Sequence, residues 1–585
     1  MNSITNNGQV EKIRHSCAHV LAQAVKELYP KSKLGIGPVI ENGFYYDFDN
    51  LEIKEENLKR IEDKMRETTR KDYKFVESRK TRNESQIILK DEPYKLELLK
   101  DLKDDEITFY QDSDFIDLCK GPHVNSTKEI KFFKLTKLAG AYWKGDSKNK
   151  MLTRIYGTAF ENEKELNEYL KQQEEAEKRN HIKLGRELGI FMISDLVGKG
   201  LPIWLPKGNI IKEEIEKLVK EKEEKAGYIR VTTPHLGKKE LYLKSGHLPY
   251  YKDSMYPEIE MDDGKYYLKA MNCPHHHLVY KHEIRSYRDL PLRIAEYGVC
   301  YRNELSGTLA GLLRVRMLAM NDAHIYCTKE QIENEFKNVI KLVQEYYEIF
   351  ELRDYWFRLS KWDPKNKEKY INEPENWEYT ENILRKVLKE LDVKFFEVED
   401  EAAFYGPKVD IQFKAVTGRE ETMSTIQLDF AAKERFDLTY QDKDGTENKD
   451  VFVIHRAPLS THERFMAFLI EHFAGKFPVW LSPVQIRILS IADRNVRYAR
   501  DVLKKLSIEG FRVELDDRNE SISKKVKDAQ LQNIPLTITI GDKEIENKTL
   551  AVRTLDGKMK YGMKISEFLK IIRDNLENKN VKFIL

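Results

Sequence analysis

The sequence has few cysteines, almost no net charge and no long apolar run. Its 585 residues include five scattered cysteines, which argues against a disulfide framework and favours reduced thiols in a cytosolic compartment. No uncharged apolar segment of about 20 residues is present to span a bilayer. The N-terminus MNSITNNGQVEK also lacks an apolar signal core. These features predict a cytoplasmic protein without a membrane partner.

The charge balance excludes a protein that attracts polyanions through its overall field. There are 100 Lys and Arg residues against 98 Asp and Glu residues, a formal net charge of +2. Any nucleic acid must therefore be bound by local patches of basic residues. The length exceeds what one hydrophobic core usually supports, so we expect three or four domains.

Two breaks divide the chain. The charged, helix-forming run from 161 to 186 has few apolar anchors and suits a connector. The segment FPVWLSP (477–483) places two prolines around a short apolar stretch. We therefore predict domains at 1–185, 186–480 and 481–585.

Periodicity predicts the elements of the last two blocks. VQIRILSI, FRVELDD and LTITIG alternate with two amphipathic helices, which predicts a parallel α/β sheet after residue 481. In the middle block we predict a helix with one apolar face that ends at Gly227, and a strand YIRVTTPHL closed by Pro234. A later helix, capped by Thr461, buries a stripe of Phe and Leu residues.

The segment CYRNELSGTLAGLLRVR (300–316) sets three arginines around a glycine-containing stretch. It predicts two strands joined by a loop in which Gly307 and Gly311 let the backbone approach a ligand. Arginine suits bidentate recognition of phosphate or carboxylate, so a nucleotide is the expected occupant. A salt-bridged hairpin without a ligand is the alternative that this segment alone leaves open.

Three patterns in this order resemble the signature motifs of class II aminoacyl-tRNA synthetases. They are the helix and strand ending at Pro234, the Arg-x-Glu of the arginine loop, and HRAPLSTHERF. The stretches MNCPHHH, NDAHIYC, AFYGPK and IQLDF resemble the threonyl-tRNA synthetase family specifically, over essentially the whole chain. The resemblance implies a multidomain α+β and α/β protein, with an α+β editing domain, a class II catalytic domain built on an antiparallel sheet and a C-terminal α/β anticodon-binding domain.

The resemblance also implies a reaction. Threonine would be activated by ATP with Mg2+ and transferred to tRNA(Thr) by a homodimer. Arg302 and Glu304 would hold the α-phosphate and the adenine, and Arg464 the γ-phosphate. The side chains Arg314, Lys408 and Gln427 would line the same pocket.

One Zn2+ per subunit is implied by Cys273, His324 and His455, whose spacing alone would not nominate them. Zinc can accept the amino and hydroxyl groups of threonine but finds no second ligand on valine. Asp322 would bond the hydroxyl. His247 would lie near the terminal ribose of the tRNA, its alternative being an ordinary histidine of a surface loop.

Serine fits such a zinc site, so a correction step is expected. HSCAH and CKGPH each set two metal-type side chains four residues apart, which by chemistry alone also fits a metal tetrad. The resemblance instead implies an editing pocket that hydrolyses Ser-tRNA(Thr), usually without metal. Its residues would be His15, His19, Lys95, Asp117, Cys119 and His123.

The same resemblance implies that Asn519, Glu544 and Arg553 read the anticodon. It also implies that the small N-terminal ubiquitin-like domain of many relatives is lacking. Six residues expected around the substrate depart from the family pattern, namely His275, Met320, Asn321, Met423, Ser424 and Ser460. Met320 stands where the family usually has a glutamine beside the amino-acid carboxylate, Asn321 where it has an aspartate, and Ser460 where it has a glycine. A regulatory or RNA-binding paralogue with an altered pocket, or an enzyme of shifted amino-acid choice, therefore stays open as an alternative.

Overall fold

The computed structural model describes residues 7–146, 148–415, 418 and 420–585. Its contacts divide the chain between Glu174 and Glu175 into two compact units. Among the residues described, no helix is long and apolar enough to cross a membrane. The domain boundary predicted near 185 stays a prediction, because the division by contacts falls inside a helix about ten residues earlier.

The first unit contains two antiparallel sheets. The elements are α1 (Asn7–Leu28), β1 (Lys33–Leu34), β2 (Val39–Ile40), β3 (Gly43–Asp49), α2 (Leu58–Arg70), β4 (Val76–Thr81), α3 (Arg82–Ile88), α4 (Pro93–Asp101), β5 (Glu106–Asp112), β6 (Phe115–Leu118), β7 (Phe132–Tyr142), β8 (Met151–Phe160) and α5 (Glu163–Lys178). A five-stranded sheet has the order β1-β3-β8-β7, with β2 beside β3, and a three-stranded sheet has the order β4-β5-β6.

Helix α1 packs its apolar face on the larger sheet. Cys17, Val20, Leu21 and Ala24 are fully buried there, at the spacing of one helical face. Because this packing fixes the helix, it also fixes the polar side chains that α1 carries.

The second unit begins with elements built around an eight-stranded sheet. They are α6 (His181–Glu187), β9 (Phe191–Met192), β10 (Ile203–Trp204), α7 (Pro206–Lys225), β11 (Ile229–Arg230), β12 (Leu236–Lys238), α8 (Lys239–Lys244), α9 (His247–Tyr250), β13 (Ile259–Met261), β14 (Gly264–Leu268), α10 (Cys273–Lys281), β15 (Leu292–Tyr301), β16 (Met317–Cys327), α11 (Ile332–Ile349), β17 (Tyr355–Ser360), α12 (Pro374–Glu390), β18 (Phe395–Val398), β19 (Lys408–Lys414), β20 (Glu420–Asp429), α13 (Ala432–Phe436), β21 (Tyr440–Gln441), β22 (Glu447–Asn448), β23 (Phe452–Arg456) and α14 (His462–His472).

The large sheet has the order β11-β15-β16-β23-β20-β19-β17-β18, and only its two edge strands pair in parallel. The predicted helix before it is confirmed as α7, with Ile211, Ile215, Leu218 and Val219 buried. The strand predicted for YIRVTTPHL is too long, since β11 covers only Ile229 and Arg230 and the last residue, Leu236, already belongs to β12 in another sheet. LLRVR is not a strand, because β16 begins only at Met317.

The C-terminal part carries a five-stranded sheet. The elements are β24 (Ile486–Ser490), α15 (Val496–Ile508), β25 (Val513–Asp516), α16 (Ile522–Leu531), β26 (Leu536–Ile540), α17 (Asp542–Asn547), β27 (Thr549–Thr554), β28 (Met559–Lys564) and α18 (Ile565–Glu577). Strands β25, β24 and β26 are parallel, as predicted. The prediction was incomplete, because β27 and β28 extend this sheet as antiparallel strands.

Candidate functional site

Strand β16 points alternate side chains into a cavity of about 260 Å³. Met320, Asp322 and His324 line this cavity, while Asn321 between them faces the other side of the sheet. The neighbouring strands β20 and β23 contribute further walls. The cavity therefore lies over the middle of the large sheet.

Three potential metal ligands meet in this cavity. Cys273 is the first residue of α10, and His324 on β16 lies directly opposite His455 on β23. Their donor atoms lie within 4.8 Å of one another. Zinc takes one thiolate and imidazole ligands at about 2.0–2.3 Å, so this donor set fits the ion with small side-chain adjustments. Burial raises the pKa of the Cys273 thiol well above its usual range, so a bound cation is what would hold the thiolate.

A carboxylate orients one of the histidines. His455 Nε2 lies 3.1 Å from Asp429 Oδ2, and the other Asp429 oxygen accepts from the backbone N–H groups of Ala431 and Ala432. Burial would raise the pKa of Asp429, but these bonds outweigh it and lower the pKa. An ionised Asp429 holds the proton on Nε2, which leaves the Nδ1 lone pair of His455 for a metal.

Asn272 is a buried residue of the site that sequence reasoning missed. Its Nδ2 donates to Asp322 Oδ2 at 2.9 Å, and this bond holds the carboxylate at the cavity wall. Gly298 is required beside it, because a Cβ there would come within 2.1 Å of Asn272 Oδ1. The asparagine directly before Cys273 in MNCPHHH was the available signal.

The arginines of the predicted nucleotide site divide into two groups. Arg302 and Arg464 line the cavity. Arg464 is held by the carbonyl oxygens of Thr422 at 2.8 Å and Leu313 at 3.3 Å, and buried Arg302 Nε has no hydrogen-bond partner within the described chain. Arg314 instead pairs with Glu304 at 2.8 Å, and its side chain is about half exposed.

Arg316 and Gly311 serve the loop rather than a ligand. Arg316 Nε donates to the Glu304 carbonyl at 2.9 Å. Gly311 was expected to let the backbone approach a ligand, but a Cβ there would meet His181 Nε2 at 2.3 Å. That expectation was wrong, since the glycine makes room for His181, which accepts a bond from Leu312 N.

Lys408 and Gln427 are cross-strand partners on β19 and β20. Gln427 lines the cavity and accepts a hydrogen bond from Tyr405. Lys408 pairs with buried Asp410 at 3.0 Å. Gln427 therefore stands in the cavity wall, whereas Lys408 lies opposite it on the neighbouring strand and is not part of that wall.

His247 is buried rather than part of an exposed loop. Its Nδ1 lies 2.8 Å from Ser245 Oγ, and its Nε2 lies 4.0 Å from Cys273 Sγ. Burial lowers the pKa of His247 to about 4. The imidazole is therefore neutral at pH 7 and able to accept a proton.

The departures from the family pattern fall in different places. Met320, Met423, Ser424 and Ser460 line the cavity. Ser460 has a φ of 55°, a left-handed conformation that favours the family's glycine.

Asn321 and His275 do not line this cavity. Asn321 was expected beside the substrate, but its Nδ2 donates to buried Glu223 at 3.0 Å behind the sheet. Glu223 also pairs with Arg456 at 2.7 Å. Burial lowers the pKa of His275 to about 4, so it is a neutral buried group on α10.

The first unit holds a second cavity, of about 520 Å³. Cys119 Sγ lies 3.1 Å from His15 Nε2 and 3.2 Å from His123 Nε2. The donor atoms of His15, Cys119 and His123 lie within 4.8 Å of one another and could hold a metal ion. His19 bonds Asp112 at 2.9 Å instead, so three of the four side chains of the possible metal tetrad meet. Burial lowers the pKa of His123 to about 2 and raises that of Cys119 to about 11, which leaves neutral imidazole beside a thiol.

Lys95 and Asp117 form a buried pair in the same cavity. The Lys95 Nζ lies 2.8 Å from Asp117 Oδ1, and the Tyr46 hydroxyl donates to Asp117 Oδ2 at 2.6 Å. Tyr46 was not identified from the sequence, since nothing near it in the chain marks it. The pair places a cation within a largely apolar pocket.

The predicted anticodon readers lie on three separate elements. Asn519 is exposed after β25, and Glu544 on α17 accepts from Gly541 N at 2.9 Å. Arg553 on β27 has a buried Nε for which the described residues offer no partner. The exposed amide of Asn519 is suited to meet a base edge.

Three family descriptions match the chain. Residues 256–473 match the tRNA synthetase class II core domain (G, H, P, S and T), residues 483–575 match an anticodon binding domain, and residues 107–156 match the threonyl and alanyl tRNA synthetase second additional domain. The threonine–tRNA ligase of Oceanobacillus iheyensis is 47% identical over 99% of this chain and 90% of its own length. This chain belongs to the threonine–tRNA ligase family.

Other members of the threonine–tRNA ligase family agree. The ligase of Streptococcus gordonii is 46% identical over 99% of this chain and 92% of its own length. The crystal structure of the RNA binding domain of threonyl-tRNA synthetase from Cryptosporidium parvum superposes with a TM-score of 0.63 at 33% identity, covering 69% of this chain and 99% of that one. The predicted family, fold class and enzyme class are confirmed.

Proposed function

We propose that this chain joins threonine to tRNA(Thr) with ATP and Mg2+ and hydrolyses mischarged Ser-tRNA(Thr). One observation carries the proposal: Cys273, His324 and His455 meet in the cavity that Asp322, Arg302 and Arg464 also line. A site for an amino alcohol and a site for a polyphosphate are thereby adjacent.

The two cavity arginines would bind ATP. Arg464 is fixed by two carbonyl oxygens and by its place in the first turn of α14, where Thr461 caps the helix. Arg302 offers a buried Nε without a bond inside the described protein. Both groups are in place before charge develops on the phosphate, which is the condition for electrostatic stabilisation. Glu304, Arg314, Lys408 and Gln427 would complete the walls.

Zinc on Cys273, His324 and His455 would supply a Lewis acid able to hold both the amino and the hydroxyl group of threonine. Asp322, which Asn272 orients, would accept a hydrogen bond from the hydroxyl. Valine has no hydroxyl, so Asp322 would keep only the bond from Asn272 and lack the second donor. A site built to bond a hydroxyl rejects the analogue that lacks it far more strongly than an apolar pocket does.

His247 would take the proton from the terminal ribose hydroxyl of tRNA as it attacks. Its neutral state at pH 7 and its position 4.0 Å from Cys273 Sγ support this assignment. A positioned general base typically contributes about 10²–10⁴-fold to a rate.

The cavity of the first unit would hydrolyse Ser-tRNA(Thr). His15 and His123 are imidazoles in contact with Cys119, and burial lowers the pKa of each histidine. They would position the attacking water, while Lys95 would stabilise the developing oxyanion. Asp117 would hold Lys95 in place, and Asp112 would hold His19.

The remaining parts of the proposal concern assembly and recognition. Asn519, Glu544 and Arg553 would read the anticodon. The protein would act as a homodimer in the cytoplasm, as expected from the family resemblance.

ATP–pyrophosphate exchange with threonine, serine and valine tests the synthetic function. We expect exchange with threonine, weaker exchange with serine and almost none with valine, together with one Zn2+ per chain. The Cys273→Ala variant should lose zinc and exchange, whereas Cys327→Ala, which alters a buried thiol outside the cavity, should keep both. No exchange by zinc-loaded protein would favour the regulatory paralogue, and a preference for another amino acid would favour a shifted enzyme.

Deacylation of Ser-tRNA(Thr) tests the editing function separately. His15→Ala should abolish hydrolysis and leave exchange unchanged. Lys131→Ala, on the exposed surface of the same unit, is the matched control and should leave both hydrolysis and exchange unchanged. Full hydrolysis by His15→Ala would contradict the assignment.

A further inference from the structure

A buried chain of hydrogen bonds runs behind one of the proposed zinc ligands. His324 Nδ1 lies 2.7 Å from His276 Nδ1, and His276 Nε2 lies 3.2 Å from Glu296 Oε2. All three side chains are at least nine-tenths buried. His276 and Glu296 are absent from the walls of the cavity, and the hydrogen bond from this pair to a cavity residue goes to His324.

The far end of this chain fixes where the protons lie. Glu296 Oε1 accepts from the Thr233 backbone N–H at 2.8 Å, and Oε2 accepts from the Thr233 hydroxyl at 2.9 Å. The Lys269 ammonium lies 3.8 Å from the same carboxylate. With these donors around it, Glu296 is an acceptor only.

The positions of the remaining protons then follow in order. His276 must donate from Nε2 to Glu296, so its Nδ1 carries a lone pair. Two ring nitrogens 2.7 Å apart need one proton between them, so His324 must donate from Nδ1. The lone pair of His324 is therefore left on Nε2.

We propose that Glu296 and His276 form a positioning relay that holds His324 in the single tautomer able to bind a metal. The inference rests on the proposed zinc site and adds two residues that touch neither metal nor substrate. Groups that orient a ligating histidine in this way typically contribute about 10–100-fold to metal affinity. Asp429 orients His455 in the same way, but it bonds Nε2 of that histidine, whereas His324 is bonded through Nδ1.

Glu296→Gln is the test that the geometry selects. The glutamine oxygen would accept from Thr233, which turns the amide NH2 group towards His276 Nε2. His276 would then carry its proton on Nδ1 and force His324 to hold its own proton on Nε2. We expect the zinc dissociation constant, measured by competition with a chelating dye on the full chain, to rise roughly 10–100-fold.

The matched control is Glu335→Gln. Glu335 is also buried and also receives charged bonds, from Arg293 at 2.7 and 2.6 Å, but it lies outside the relay. It should bind zinc as the wild type does. Far-UV circular dichroism and ATP binding by each variant show whether the fold is kept.

A second variant separates the relay from simple damage. The Oδ1 of His276→Asn can take the position of Nδ1 and accept from His324 without any help from Glu296. We expect His276→Asn to bind zinc within about 3-fold of the wild type, and the double variant with Glu296→Gln to do the same.

Three results would overturn the relay. One is a wild-type zinc affinity in Glu296→Gln. Another is an equal loss of zinc affinity in Glu296→Gln and in the double variant that also carries His276→Asn. The third is a wild-type protein that binds no zinc. That result would also overturn the proposed zinc site, and it is recognised from the wild type without any variant.

Discussion

The buried pair of His19 and Asp112 predicts an asymmetry in stability. Asp112 is fully buried, its Oδ1 bonds only His19, and no partner for its Oδ2 lies among the described residues. His19→Leu would leave this carboxylate without a partner. Removing one partner of a buried pair costs about 3–5 kcal/mol, so we expect a loss of that size in the first unit.

Replacing both residues should cost much less. The double variant His19→Leu with Asp112→Leu keeps similar volumes and removes the buried charge, so its loss should be about 0–2 kcal/mol. The single variant would then be less stable than the double variant, although it carries fewer changes.

Hydrogen exchange on the full chain measures this difference where it arises. Exchange of the amides inside α1 should accelerate roughly 100- to 3,000-fold in the single variant, since each 1.4 kcal/mol is about one decade. Amides of α11, in the other unit, are the internal control. If the double variant exchanges as fast as the single one, the orphaned carboxylate is not the cause and the reasoning is refuted.

Four further predictions concern the cavity over the large sheet and His247 beside it. Met320→Gln should restore a donor for the threonine carboxylate and lower the threonine KM in pyrophosphate exchange by roughly 10- to 100-fold, worth about 1.5–3 kcal/mol; an unchanged KM would show that another donor already serves. Ser460→Gly should relieve the left-handed backbone at φ 55° and raise the stability by about 0.5–1 kcal/mol, seen as a higher Tm. Because the pKa of His247 is lowered to about 4, the single-turnover rate of threonine transfer should not fall between pH 7 and 5 through this group, whereas a midpoint near 6.5 would contradict its burial. The folding stability, by contrast, should depend on pH in this range. Below pH 6.5 the unfolded chain binds a proton on His247 that the folded protein does not bind until about pH 4, so the free energy of unfolding should fall by about 2 kcal/mol at pH 5.

Helices were the part of the fold that the sequence predicted best. The buried stripe of α7 and the Thr461 cap of α14 are both local patterns, which can be recognised without knowing the tertiary contacts. The segment LLRVR was misjudged because its apolar residues suggest a strand. Its backbone is instead held by a tertiary bond from Arg316 N to the Gly200 carbonyl.

The C-terminal sheet shows a signal that was present but not used. β27 and β28 are joined by a turn at Asp556 and Gly557, and Gly557 has a φ of 90°. An Asp-Gly pair between two alternating stretches is a strong hairpin pattern. The two antiparallel strands could therefore have been predicted.

Sequence motifs identified several residues of the candidate site, but their positions relative to one another depend on strand pairing and on long-range contacts. The motifs brought Cys273, His324 and His455 to notice, but only the pairing of β16 with β23 shows how they meet. Asn321 could have been placed by strand parity alone, since it lies between two cavity residues. The partners Asp112 of His19 and Glu296 of His276 are 93 and 20 residues away in sequence, and no local pattern announces them.

The alternation of β16 has a consequence for how substrate choice can change. Side chains on one face of a strand are spaced about 6.6–6.8 Å apart, so Met320, Asp322 and His324 would meet the proposed amino acid substrate at fixed intervals along its length. One of these side chains can be exchanged without shifting the others, because β15 pairs with the whole of this segment and β23 pairs with it from Ala323 onwards. A new preference at the carboxylate end can thus arise while the reading of the hydroxyl end stays intact.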